Sequence, residues 1–148
     1  IFYAFEMGAS YYSMLMDKVF NIGESTNQEG IYEFFESSSS IVNYILLFVC
    51  VVILAPIIEE FEFRELVFKT FPGCHYLIPV FVSGILFGLL HMQEFSLHEL
   101  AYFPIYMLPG IGLALVYHIT GNNFYASAIC HSIVNLIAFI QIIQMYNM

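Results

Sequence analysis

The chain has 148 residues, 60% of them hydrophobic and 18% aromatic, with 10% charged and a mean hydropathy of +0.80. A soluble domain carries about 25% charged residues, so this chain has too little polar surface to coat a globule, and lipid must cover much of it. Its formal charge is −9, with Lys18, Arg64 and Lys69 the three basic residues, which excludes a nucleic-acid surface and electrostatic docking on anionic lipid heads. Cys50, Cys74 and Cys130 are scattered and odd in number, and form neither a disulfide framework nor a CxxC metal spacing. The sequence opens at Ile1 without methionine and is apolar at once, so an N-terminally truncated or trimmed chain is expected. A cleaved signal peptide is not, because no basic start and no soluble mature domain are present.

Taken in order, residues 1–20 are apolar but interrupted by Glu6 and Asp17, which predicts the end of a span or an interfacial helix. Residues 21–40 are polar and acidic (Glu24, Glu29, Glu33, Glu36) and end in four serines. They predict a loop with a short helix, the serines capping the next helix. Residues 41–58 are long and apolar enough to cross a bilayer, with Pro56 a candidate kink. The helix continues through Glu59-Glu60-Phe61-Glu62-Phe63-Arg64-Glu65 to Lys69 and stops at Pro72-Gly73. Further apolar helices are predicted from Tyr76 to His91 or beyond, from Ala101 to Ile119, and from Tyr125 to Met145, with a tight turn at Gly121-Asn122-Asn123. Helices are the spanning form expected in lipid, which cannot satisfy backbone polar groups. The expected fold is all-α: a polytopic transmembrane bundle of about four to five membrane helices. An N-terminal helix and acidic loop over residues 1–40 precede a membrane domain over 41–148.

A charge at the bilayer centre costs roughly 2.5–3.5 kcal/mol on the insertion scale, so intramembrane ionisable residues are functional candidates. Here they are Glu59, Glu60, Glu62, Arg64, His91 and His131, with Asn135 beside them. Glu60 and Arg64 are four apart, in the favoured order for a helical ion pair. Phe87 and His91 share a face in the same way, as do His131 and Asn135. Glu59 points about 100° from Glu60, so one acid can pair with Arg64 while its neighbour faces something else. With the helices alternating in direction, Glu59 lies roughly 15 Å below the Lys69 end, His91 roughly 22 Å, His131 roughly 9 Å and Asn135 roughly 15 Å. Tilt covers that spread.

A carboxylate shielded from water is a stronger base than one in bulk solvent, and a neutral imidazole beside it helps hold a water for attack. A His and an Asn one turn apart offer donors suited to a developing oxyanion. No covalent nucleophile stands out: Ser132 points away from His131, and GxSxG is absent.

Glu59-Glu60-Phe61-Glu62-Phe63-Arg64 fits EExxxR, Phe87-Gly88-Leu89-Leu90-His91 fits FxxxH, and His131-Ser132-Ile133-Val134-Asn135 fits HxxxN. In this order, on successive membrane segments, the three resemble the CAAX protease and bacteriocin-processing family, also called the Abi family, which includes the type II CAAX prenyl endopeptidases. The resemblance covers roughly residues 41–139 and implies a multi-pass cell-membrane peptidase of the glutamate type with no cofactor. It implies that Glu59 and His91 activate water, that His131 and Asn135 hold the oxyanion, and that Glu60 and Arg64 support them. The expected partners are a peptide or lipidated protein substrate and membrane lipids. Glu65 follows the Arg where the family often has Gly or another small residue.

Each motif also has a plainer reading. The acids and Arg64 fit an interfacial ion-pair cluster, and His91, His131 and Asn135 fit interhelical hydrogen-bond glue. Glu62 and Glu65 read as solvated or interfacial rather than catalytic, and His75 and His118 as interfacial. His91, Glu94 and His98, at i, i+3 and i+7, would share a helical face suited to a metal, although HExxH is absent. The alternatives to an endopeptidase are a non-catalytic membrane binding or bacteriocin-immunity protein and, more weakly, a metal-dependent membrane hydrolase.

Overall fold

The computed structural model describes residues 1–23, 25–37 and 40–146. Glu24 of the acidic segment, Ser38 and Ser39 of the serine run, and Asn147 and Met148 at the end of the 41–148 region lie outside the described residues. The described residues form six helices and no strand: α1 (Phe2–Phe20), α2 (Thr26–Ser37), α3 (Ile41–Thr70), α4 (Leu77–Leu90), α5 (Leu97–Ile119) and α6 (Phe124–Tyr146).

Local chemistry sets the helix ends. Asn21 closes α1 in the left-handed conformation (φ 51°), its N–H on the Asp17 carbonyl. Ser40 caps α3, its side chain accepting from the Val42 N–H at 3.3 Å. Pro72 and a left-handed Gly73 (φ 76°) come after its end. Ser96 caps α5 by accepting from the Glu99 N–H at 3.1 Å, so the helix starts four residues before Ala101, where apolarity alone puts it. The chain leaves α4 at His91 and is non-helical until α5. His91, Glu94 and His98 therefore do not share a helical face, and the geometry assumed for a metal site there is absent.

Helix α3 is continuous through Pro56 but contains two π-helical turns, Val49–Leu54 and Phe61–Leu66, on either side of the acidic pair. The first follows from proline chemistry. Pro56 has no N–H and its ring crowds the preceding turn, and the Ala55 N–H reaches back five residues to the Cys50 carbonyl. An α-helical partner for the Val51 carbonyl would be Ala55 and a π-helical one Pro56. Neither can donate to it.

Burial is inverted relative to a water-soluble bundle. Ile129, Ile133, Ile137 and Ile140 form an exposed stripe on α6 (44–58%), while Glu60, Arg64, Ser83 and Ser127 are each 0% exposed. Such a surface is stable only where the solvent is hydrocarbon. Helices α3, α5 and α6 are long and apolar enough to cross a membrane, and α4 is apolar but has 14 residues. The molecule is an all-α polytopic membrane bundle.

Small residues let the helices close. A Cβ built on Gly84 of α4 would overlap the Ile111 side chain and lie 3.0 Å from the Ile111 backbone N and 3.2 Å from the Met107 carbonyl of α5. Gly112 admits Phe2 and Phe5 of α1 at 3.0–3.1 Å in the same sense. In lipid, helix association depends on such close contact because tails are as apolar as leucine. A Gly84→Val substitution must push α4 from the α5 backbone, and overpacking of this kind costs about 1–3 kcal/mol. Its thermal unfolding midpoint in detergent should fall below wild type, whereas Gly30→Ala, inside α2 with open space around it, should not lower it.

Candidate active site

Glu60 and Arg64 sit on successive turns of α3, both fully buried, and form a bidentate pair: Arg64 Nε donates to Glu60 Oε2 at 2.8 Å and Nη2 to Oε1 at 2.9 Å. Arg64 Nη1 donates to Ser83 Oγ of α4, and the guanidinium carbon lies 5.2 Å from the centre of the Phe87 ring. From α6, His131 Nδ1 donates to Glu60 Oε1 at 3.1 Å. Three helices thus meet at one ion pair, and both oxygens of its carboxylate accept hydrogen bonds. Breaking a buried pair by removing one partner costs about 3–5 kcal/mol, because the other charge is left uncompensated.

Glu59 turns the other way and lines a cavity of about 880 Å³ together with His91, His131 and Asn135. Its Oε2 is buried, 3.8 Å from His131 Nε2, and has no hydrogen-bond partner among the described residues. The two adjacent acids therefore differ in kind. Glu60 is saturated and sealed, while Glu59 offers an uncommitted oxygen to a cavity large enough for a ligand.

His91 caps the end of α4. Its Nδ1 lies 2.9 Å from the Phe87 carbonyl, which can only accept, so the ring proton sits on Nδ1 and Nε2 carries the lone pair. Phe87 (4.6 Å) and Tyr106 of α5 (4.5 Å, stacked) hold the imidazole from two sides. Phe87 also meets the His131 ring at 5.6 Å. Asn135 lines the cavity and donates from Nδ2 to the Val51 carbonyl at 2.9 Å. It satisfies the acceptor that Pro56 leaves without a backbone partner. An amide nitrogen has two hydrogens, so one remains for the cavity.

Of the six residues predicted, Glu59, His91, His131 and Asn135 face the cavity, while Glu60 and Arg64 stand behind it. Glu65 bonds Lys69 at 2.6 Å and accepts from the Tyr117 hydroxyl at 3.2 Å, outside this cluster. Two participants were not predicted. Ser83 shares the α4 face of Phe87 and His91, one turn earlier, so extending that spacing would have found it. Glu6 of α1 also lines the cavity. It meets the same criterion, a charge inside an apolar run, but lies on the segment read as the end of a span or an interfacial helix.

Two comparisons bear on this arrangement. Residues 41–137, more than half of the chain, match the family model described as type II CAAX prenyl endopeptidase Rce1-like. An uncharacterized protein of Mycoplasma capricolum subsp. capricolum is 29% identical over 143 residues, covering 95% of this chain and 41% of that relative. The chain therefore spans less than half the length of the curated relative it matches. No solved structure matches.

Two stability measurements probe the cluster. Arg64→Met should cost about 3–5 kcal/mol by stranding Glu60, and adding Glu60→Met should restore much of the loss. Equal unfolding midpoints for the single and double variants in detergent would contradict the pairing. Asn135→Ala should cost about 1–3 kcal/mol by orphaning the Val51 carbonyl. In a Pro56→Ala background, where residue 56 regains an N–H, that cost should shrink. An unchanged cost would show that Asn135 does not answer the proline.

Proposed function

The chain belongs to the Rce1-like family of type II CAAX prenyl endopeptidases, and from that premise we propose that it is an intramembrane endopeptidase. Its substrates are prenylated or membrane-associated peptides and proteins. The observation that carries the reading is the unequal state of the two adjacent glutamates: one saturated by Arg64 and His131, the other with a buried, uncommitted oxygen facing a shared cavity.

Glu59 accepts a proton from water, and His91, through the Nε2 lone pair fixed by its Nδ1–Phe87 bond, accepts the water's other hydrogen as a hydrogen bond and orients it. The water oxygen bonds to the scissile carbonyl carbon, whose π electrons move to its oxygen. His131 and the second Asn135 hydrogen donate to that oxyanion. The tetrahedral intermediate then collapses, the C–N bond breaks, and the proton held by Glu59 passes to the leaving amine. That role requires a hydrogen on His131 Nε2 in addition to the one Nδ1 gives to Glu60.

The test is cleavage of a prenylated CAAX peptide by the purified chain in nanodiscs, followed by mass spectrometry. Glu59→Gln, nearly isosteric, should lower kcat by about 10²–10⁴, and His131→Ala or Asn135→Ala by about 10²–10³. Full activity of a stably folded Glu59→Gln variant would sink the mechanism.

A further inference from the structure

The cavity extends well beyond the reacting groups. Along α1 it is lined by Glu6, Ser10, Ser13 and Asp17, and at its far end by Asn27 and Gln28 of α2. The four α1 residues recur at i, i+4, i+7 and i+11, one polar face of an otherwise apolar helix. From α6 the cavity is lined by Val134, Ala138, Phe139 and Ile142. The result is a groove with a polar stripe along α1 and apolar side chains from α6, continuous with Glu59 and His91. Helix α1 lies outside residues 41–137, so this stripe is contributed by the chain beyond the family match.

We infer that this groove binds the polypeptide flanking the scissile bond as an extended, cationic segment; the inference rests on the endopeptidase reading. From Glu6 to Asp17, α1 rises roughly 16 Å, the span of about five extended residues. An extended segment entering an apolar protein needs partners for its peptide groups, and Ser10, Ser13, Asn27 and Gln28 supply both donors and acceptors. Charge selects the side chains. The acids along the cavity are Glu6, Asp17 and Glu59, and none of Lys18, Arg64 and Lys69 lines it. His91 and His131 lie at the catalytic end. Asp17 Oδ1 accepts from the Gly23 N–H at 3.4 Å, which holds the far end of the stripe to the α1–α2 connection. A low-dielectric cleft lined by one sign of charge concentrates the opposite sign.

Two labelled, prenylated CAAX peptides that differ only in four flanking residues, all lysine or all glutamate, test this in nanodiscs of zwitterionic lipid. Wild type should bind the lysine peptide at least about tenfold more tightly, and cleave it with a correspondingly lower KM, the difference shrinking with added salt. The Glu6→Gln/Asp17→Asn double variant should lose that preference. Asp17→Lys should move the preference toward the glutamate peptide. Equal binding of the two peptides by wild type, or an undiminished preference in the double variant, would overturn the proposal. Preferential binding with no cleavage of any peptide would remove the endopeptidase reading and keep the groove. Cleavage with no preference would do the reverse.

Discussion

The Glu60–Arg64 pair is the constraint on which the rest of the site depends. An arginine inside a membrane helix is tolerable only if its donors are occupied and its charge is balanced. Glu60 balances the charge from within the same helix, and Ser83 takes a further N–H from α4. Glu60 in turn needs a donor that α3 does not supply, and His131 brings it from α6. The requirement to satisfy one buried cation thus fixes three helices against one another. It also orients His131, because the ring that gives Nδ1 to Glu60 must direct Nε2 toward Glu59.

Phe87 performs the matching task for the apolar side of the cluster. Its face lies against the Arg64 guanidinium, its ring contacts those of Phe63, His91 and His131, and its carbonyl fixes the His91 tautomer. A flexible aliphatic side chain there would fill space but would offer no ring face to the cation. The requirement for close packing extends outward. Phe87 Cβ would lie 2.9 Å from a Cβ on Gly110, so α5 approaches α4 at this level because Gly110 has no side chain. The position of Tyr106, stacked on His91 from the same helix, is set by that approach.

Much of this was legible because lipid reverses the usual odds. Where most residues are apolar for solvation alone, the few charged ones carry the information, and Glu59, Glu60, Arg64 and His91 stand out without any structure. Spacing then paired Glu60 with Arg64 and separated Glu59 from both, because a helix turns a side chain by about 100° per residue. Most of the features that were not assigned a role had no such contrast. Ser83 is small and uncharged, an ordinary residue in a membrane helix. Glu6 had contrast, but its helix lacked the uninterrupted apolar run that marks a span. The π-turns leave no pattern of their own: only Pro56 hints at the first, and the second, across Phe61–Leu66, has no residue that demands it. The start of α5 was missed for a different reason. Hydropathy locates the apolar body of a helix, whereas its first turn is set by Ser96, which is polar.

The link between Pro56 and Asn135 shows how a backbone defect can set the geometry of a site two turns away. Proline removes one donor and the π-turn redirects another, which leaves the Val51 carbonyl facing a neighbouring helix without a backbone partner. In water such an acceptor would be hydrated at little cost; in a bundle it must be met by protein. Asn135 meets it with one amide hydrogen, which pins the amide plane and so fixes where the other hydrogen lies. A proposed oxyanion donor must be held rigidly before charge develops, because its value depends on not reorganising. An asparagine free in the cavity would have to be ordered at each turnover. One bonded to Val51 is ordered by folding, and the proline that weakens the α3 ladder is the reason the bond exists.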